Sequence, residues 1–244
     1  MPENGGVVHD DMHRGLRADM APLVETLVQL IQDAQSPEIR NWAAKMLAEL
    51  ALAKTEESRT DALTQLPNML GLRILFERLI AEVACSPNNR QSAPDAIGVI
   101  SMDLVGFGDY NLTIGWDASS ALLVDFARIL EDSLRRGDFV SRIGGDEFIA
   151  LFDLRKEQLL ASQAATFEEL LESFLDRFRA ACAAYNEEMY QLFVKGVIEK
   201  YTPLSLHARS VVITREDLQR RFRNGTPLTL ADVIRLADPK HRRG

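Results

Sequence analysis

The chain has 244 residues, 46% of them hydrophobic and 26% charged, an ordinary balance for a globular protein with a substantial core. The net charge of −8 argues against a general nucleic-acid binder, while leaving room for a local basic pocket around a phosphorylated small molecule. No apolar run approaches the ~18 residues needed to cross a bilayer, and "MPENGGVVHDDMHRG" lacks a charged-then-apolar signal pattern, so membrane anchoring and export are not supported and a cytoplasmic location is expected. Cys85 and Cys182 each sit in an apolar helical context with no thiol or histidine at ligand spacing, which reads as a buried, reduced pair.

The length predicts one sizeable domain plus a smaller appendage. From Leu16 to Ala34, apolar residues at Leu16, Met20, Leu23, Leu27, Leu30 and Ile31 make one helical face. Ser36 suits an N-cap and Pro37 a first helical position, so a second helix starts there with a stripe at Ile39, Trp42, Ala43, Met46 and Leu50. This pair, within residues 1–58, reads either as a hairpin packed on the following domain or as a dimerising segment. The polar stretch Lys54 to Asn68 is the junction, and residues 59–244 form the larger domain.

A helix is predicted over Leu70 to Ala84, then a buried strand over Ala96 to Leu104 that ends in an acid. Helical periodicity returns at Leu122, Leu123, Phe126, Leu130 and Leu134. Strands follow at Phe139 to Ile143 and Glu147 to Phe152, joined by a Gly-Gly-Asp turn. Phe167 to Cys182 is the cleanest amphipathic helix; after it come strand candidates Gln191 to Val194 and Leu204 to Ile213, and a short helix in "LTLADVIRLAD". Strands alternating with helices around a central hairpin specify an α/β fold, a mixed central sheet with covering helices, preceded by the N-terminal helical segment.

Asp103 closes a buried strand, and Asp146 and Glu147 occupy a turn between two others. If the strands are neighbours, the carboxylates converge into an oxygen-rich site for a hard cation, with open positions for phosphate and water. Such a cation activates a hydroxyl and neutralises charge on a transferring phosphoryl group. Each acid taken alone also fits a turn cap.

"RIGGDEF" resembles the signature of the GGDEF family, the diguanylate cyclases, whose fold resembles the palm of polymerases and class III nucleotide cyclases. "DALTQLPN", Asp61 to Asn68, is similar to that family's "DxLTGLPN", with Gln65 where glycine is usual. "DLVGFGDYNLTIGWDASSALL" from Asp103 is similar to "DxDxFKxxNDxxGHxxGDxxL", in register at Asp103, Phe107, Asn111, Gly115 and Leu123. The resemblance implies a homodimer in which each copy holds one GTP and the pair is joined into cyclic di-GMP. It implies magnesium or manganese on Asp103 and Asp146, with Glu147 supporting metal or substrate. Gly144 and Gly145 would lie under the nucleotide, with Phe107, Asn111 and Ser120 at the substrate site and Asn111 reaching the guanine edge. Arg135 and Asp138 fall where the family's RxxD inhibitory product site lies; a solvated helix end is the plainer reading of the same residues.

Departures from the pattern bear on activity. Gly108, Leu112 and Trp116 replace the family's lysine, aspartate and histidine, and Ser119 and Ser120 replace glycine and aspartate. Serine offers one hydroxyl that both donates and accepts, so it selects guanine over adenine less sharply than a carboxylate, and cyclic GMP–AMP enters as an alternative product. The family's closing helix "ADxALYxAKxxGRN" is matched at Ala237 and Asp238, after which Pro239 intervenes and the lysine position lies past the last residue. Two functions therefore stand side by side: a diguanylate cyclase-like enzyme, and a divergent, inactive GGDEF domain that senses a nucleotide or binds a protein partner.

Overall fold

In the computed structural model, residues 21–33, 36–53, 59–85 and 93–238 are described. The elements are α1 (Ala21–Asp33), α2 (Pro37–Ala53), α3 (Met69–Cys85), β1 (Ala96–Leu104), α4 (Phe107–Ile114), α5 (Trp116–Ser133), β2 (Phe139–Gly144), β3 (Glu147–Leu154), α6 (Lys156–Ser162), α7 (Phe167–Val194), β4 (Leu206–Thr214), α8 (Arg215–Arg223) and α9 (Leu230–Ala237). The four strands form one sheet in the order β2-β3-β1-β4. The mixed α/β arrangement is thus as expected, and every pairing within the sheet is antiparallel.

β1 lies in the sheet interior, and alternation sends its side chains to opposite faces. Ile97 and Val99 join the cluster formed with α3, α8, α9 and the N-terminal helix pair, while Ala96, Ile100 and Met102 join the cluster under α5 and α7. Burial on both faces explains why "AIGVISMDL" reads as a continuous apolar run. At Gly98 the chain needs a missing side chain: a Cβ there would stand 2.8 Å from Leu171 Cδ1 on α7 and 3.1 Å from Phe152 Cβ.

The helix pair α1–α2 packs its stripe inward. Leu23, Leu27, Trp42, Ala43 and Met46 are buried against α3 and α8, and Trp42 meets Phe222 edge-to-face at 5.2 Å. Ser36 begins α2 as its position suggests, accepting from the Ile39 N–H at 3.4 Å. Leu16 and Met20 of the expected first stripe lie outside the described residues.

One expected strand is absent. Gln191–Val194 forms the last turn of α7, which runs 28 residues from an N-cap at Thr166. A four-residue apolar run cannot separate a strand from a helix end by period alone, and here the helix simply continues. Asn186 on that helix accepts from the Leu204 N–H at 2.6 Å and donates to its carbonyl at 2.8 Å, which pins the returning chain where β4 begins. None of the described helices is long and apolar enough to cross a membrane.

Candidate active site

The antiparallel register sets Asp103 opposite Glu147 on β3 and opposite His207 on β4. Directly paired residues share a face, so Asp103 and Glu147 point to the same side of the sheet. Asp146 is held next to them: its carbonyl accepts from the Leu104 N–H at 3.3 Å, across the end of β1. Asp103 and Asp146 are half-buried and Glu147 is exposed. A pocket of about 160 Å³ opens between Ser101, Asp103, Ile143, Glu147, Ile234 and Asp238.

The donors at this strand end are carboxylate oxygens, as a hard divalent cation requires. Among the described residues no group of three or more His, Cys, Asp or Glu side chains is arranged to hold a metal. A site built on Asp103 and Asp146 would therefore be completed by substrate phosphates and water, the usual manner of magnesium.

The turn carrying the acids is clamped from below. Arg142 donates twice to the Gly145 carbonyl, at 2.9 and 2.7 Å, and once to Asp61 Oδ1 at 2.8 Å. Asp61 Oδ1 also accepts from the Thr64 N–H at 2.9 Å and hydroxyl at 2.8 Å. Desolvation works to raise the Asp61 pKa, but the Thr64 N–H, the Arg142 guanidinium and the Thr64 hydroxyl outweigh it and hold the carboxyl below its ordinary value. The Arg142 N–H donates to the Pro67 carbonyl at 2.9 Å, so loop and hairpin are tied twice. Neither Asp61 nor Arg142 stands out as a site residue in the sequence. Their signal is that the lead-in motif and the arginine before the two glycines occur together.

Backbone conformation accounts for two residues of these motifs. Gly145 has φ 51°, in the left-handed region, and a Cβ there or at Gly144 would meet nothing within 4 Å, so the chain leaves open space above the turn. Gln65 has φ 63°, a conformation that suits the family's glycine at this position. Beside these lies a second pocket, of about 370 Å³, lined by Asp61, Asn68, Met69, Leu70, Arg142, Ile143 and Gly144.

α4 and α5 meet at Gly115, φ 87°, and place Asn111 one turn before the junction and Ser119 and Ser120 one turn after it. Asn111 Oδ1 is buried and accepts no hydrogen bond from the described residues. Ser119 donates its hydroxyl to the Gly115 carbonyl at 2.8 Å, and Ser120 beside it is half-buried. Leu112 and Trp116 are exposed. Phe107 is packed in the core under α5 and α7, so its side chain shapes the site from behind.

Arg135 and Asp138 do come together, as an ion pair of 2.9 Å. Asp138 is only 4% exposed, and Arg135 also donates to the Asp153 carbonyl at 3.2 Å and stacks 4.7 Å from the Phe174 ring centre. Burial outweighs the attraction of Arg135 and pushes the Asp138 carboxyl up to about 6. Cys182 is a free, buried thiol that desolvation raises to about 11, an inert core residue.

Residues 58–205 match the family described as "Diguanylate cyclase, GGDEF domain". The chain is 31% identical over 130 residues to diguanylate cyclase TpbB of Pseudomonas aeruginosa, covering 52% of this chain and 28% of that protein. It is 33% identical over 116 residues to diguanylate cyclase DosC of Escherichia coli, covering 46% and 24% respectively. The chain thus spans about a quarter of the length of these curated relatives. Among solved structures it is similar to diguanylate cyclase SiaD in complex with its activator SiaC from Pseudomonas aeruginosa, at 22% identity, 94% of this chain, 78% of that one and TM-score 0.45. It is also similar to a sensory box/GGDEF family protein from Caulobacter crescentus, at 22% identity, 69% and 96% coverage and TM-score 0.46. Since the family match spans more than half of the chain and falls on the hairpin, the paired acids and the lead-in loop, this chain belongs to the diguanylate cyclase GGDEF-domain family.

Proposed function

We propose that the chain is a nucleotidyltransferase that condenses two GTP molecules into cyclic di-GMP, using magnesium or manganese and acting as a homodimer. The observation that carries this reading is the direct register of Asp103 with Glu147, with Asp146 at the adjoining turn, which gathers the acids of two separate motifs at one strand end. Each of the two steps joins a ribose 3′-hydroxyl to the α-phosphorus of the other nucleotide and expels pyrophosphate, so the hydroxyl must lose a proton and the leaving group must be neutralised. Asp103 and Asp146 would hold the divalent cation, and the cation supplies Lewis acidity at those oxygens when bound. Glu147, exposed beside them, is placed to support the metal or the incoming hydroxyl. The open space over Gly144 and Gly145 admits the nucleotide to the backbone.

Asn111 and Ser120 flank the α4–α5 junction and would read the base. The buried Asn111 oxygen suits a purine donor, and Ser120 in place of a carboxylate weakens discrimination against adenine, so cyclic GMP–AMP is proposed as a side product. Arg135 and Asp138 are proposed as a product-inhibition site. Occupation by cyclic di-GMP would require the Arg135 guanidinium to turn from Asp138 toward the ligand.

A second reading, a GGDEF domain that binds a nucleotide or a protein partner without turnover, draws on the exposed Leu112 and Trp116 where charged or polar groups stand in the family pattern. Incubation with equimolar GTP and ATP plus magnesium, followed by mass spectrometry, separates the readings. Cyclic di-GMP that disappears in Asp146→Asn supports the enzyme, and a mixed product supports relaxed base choice. Intact substrates at high protein concentration favour the binding module.

A further inference from the structure

We propose that His207 on β4 binds the nucleotide's phosphates, donating an imidazole N–H on the flank of Asp103 that faces away from Glu147. The antiparallel ladder pairs Asp103 with Glu147 on one side and with His207 on the other. Directly paired residues share a face, so the three side chains leave the sheet on the same side, neighbouring Cβ atoms being roughly 4.5–5.5 Å apart. The rest of β4 agrees. Val211 and Ile213, at even spacing from His207, pack in the cluster that takes Ile97 and Val99 from β1. Backbone bonds fix the position as well: Leu104 pairs with Leu206, and the Val105 N–H donates to the Ser205 carbonyl at 3.0 Å, so pairing continues past His207.

Charge favours this contact. A nucleoside triphosphate brings more negative charge than one divalent cation neutralises, so its oxygens draw further donors from side chains. Glu147 presents an exposed carboxylate on the β3 flank of Asp103, which repels phosphate, whereas the β4 flank presents an exposed imidazole. No hydrogen bond or ion pair to the described residues engages that imidazole. Arg209, on the same face, pairs with Ser101 further from the strand end and donates to the Asp238 carbonyl at 3.5 Å, so in the register His207 stands nearer Asp103.

Space favours it too. The pocket at the acids has a volume of about 160 Å³, below the roughly 300–1,000 Å³ of small-molecule sites, so a nucleotide held there extends over the surface beside it. A neutral imidazole already carries one N–H donor, so the contact needs no change of protonation. Its partner is phosphate and not the cation, since among the described residues no group of three or more His, Cys, Asp or Glu side chains is arranged to hold a metal. The contact rests on the reading given under Proposed function, which places the nucleotide at Asp103 and Asp146.

Calorimetric titration of the full chain with magnesium and a non-hydrolysable GTP analogue tests it. His207→Ala is expected to weaken the analogue at least fivefold. His207→Gln, which keeps an N–H donor, is expected to stay within twofold of wild type, whereas His207→Leu should match the alanine variant. Melting curves should be unchanged in all three, because the residue is exposed. Nitrogen-15 histidine spectra give a second readout: of the chain's four histidines, the one whose signal is lost in His207→Gln should shift saturably as the analogue is added. Unchanged affinity in His207→Ala, equal weakening in the Gln and Leu variants, or a His207 signal that stays still at saturation would overturn the contact. If one of these results appears while Asp146→Asn still abolishes binding, His207 alone is refuted and the function proposed above stands. A wild-type chain that binds no analogue refutes that function and this contact together.

Discussion

Among the described acids, Asp138 is the one whose surroundings most alter its chemistry. Desolvation raises it, Arg135 opposes that with an ion pair, and Asp153 adds repulsion while Arg177 adds attraction; the balance is a pKa of about 6. In the unfolded chain the same carboxyl titrates near 3.9. Between those values the folded state keeps a proton that the unfolded state has released, so this residue's contribution to stability falls as pH rises from about 4 to about 6 and is level above. The full span amounts to about 3 kcal/mol. Urea unfolding of wild type and Asp138→Asn at pH 4.5 and 7.5 should show the wild type losing stability relative to the variant as pH rises; parallel behaviour would contradict this. At Gln65 two effects compete. The left-handed backbone costs a non-glycine residue roughly 1–2 kcal/mol, and glycine costs roughly 0.5–1 kcal/mol of unfolded-state entropy. Gln65→Gly should therefore stabilise the chain by up to about 1 kcal/mol, read as a shift in urea midpoint at constant slope, after allowing for the lost Gln65 side-chain bond to the Ala62 carbonyl. Neither residue's state is visible in sequence. A left-handed φ and a buried carboxyl both depend on partners far along the chain, although the family's glycine at the first position and RxxD spacing at the second are legible.

Among the elements, β1 and the hairpin were readable because each carries a pattern that only one structure satisfies. "AIGVISMDL" is apolar on both faces, and the Gly-Gly-Asp turn separates two short runs. The first half of α7 is legible from its apolar stripe and its end is not, because the Cys182-to-Val194 portion leaves much of its surface to solvent and loses that stripe. α6 and α8 are not legible from the pattern for a different reason: they are short and polar, fixed by capping bonds such as Thr214 accepting from the Asp217 N–H at 3.2 Å. β1 passes close under α7 at Gly98, where a Cβ would stand 2.8 Å from Leu171 Cδ1. Gly98→Ala should destabilise by about 1–3 kcal/mol, since Leu171 and Leu154 must both retreat, and it should lower the denaturation midpoint without changing the slope. A neutral result would mean that α7 does not lie this close.

For the whole molecule, the sequence brought the acids into view and the sheet explains why Asp103 and Glu147 stand side by side. The strand order β2-β3-β1-β4 makes β1 and β3 neighbours, and register does the rest. Residue spacing carried no trace of how α1 and α2 dock on α3 and α8, since that depends on contacts between segments far apart in the chain. If the proposed product is joined from two nucleotides held by two copies, specific activity should rise with protein concentration through the dimerisation range and then level off. A rate strictly proportional to enzyme at all concentrations would count against a reversible dimer as the active form. Crystals grown with manganese and a non-hydrolysable GTP analogue test whether Asp103 and Asp146 hold a divalent cation against a nucleotide's phosphates, as proposed. An anomalous peak is expected within roughly 2.1–2.3 Å of carboxylate oxygens from both residues and of phosphate oxygens. Nucleotide bound with no metal between these two aspartates, or metal bound elsewhere, would contradict it.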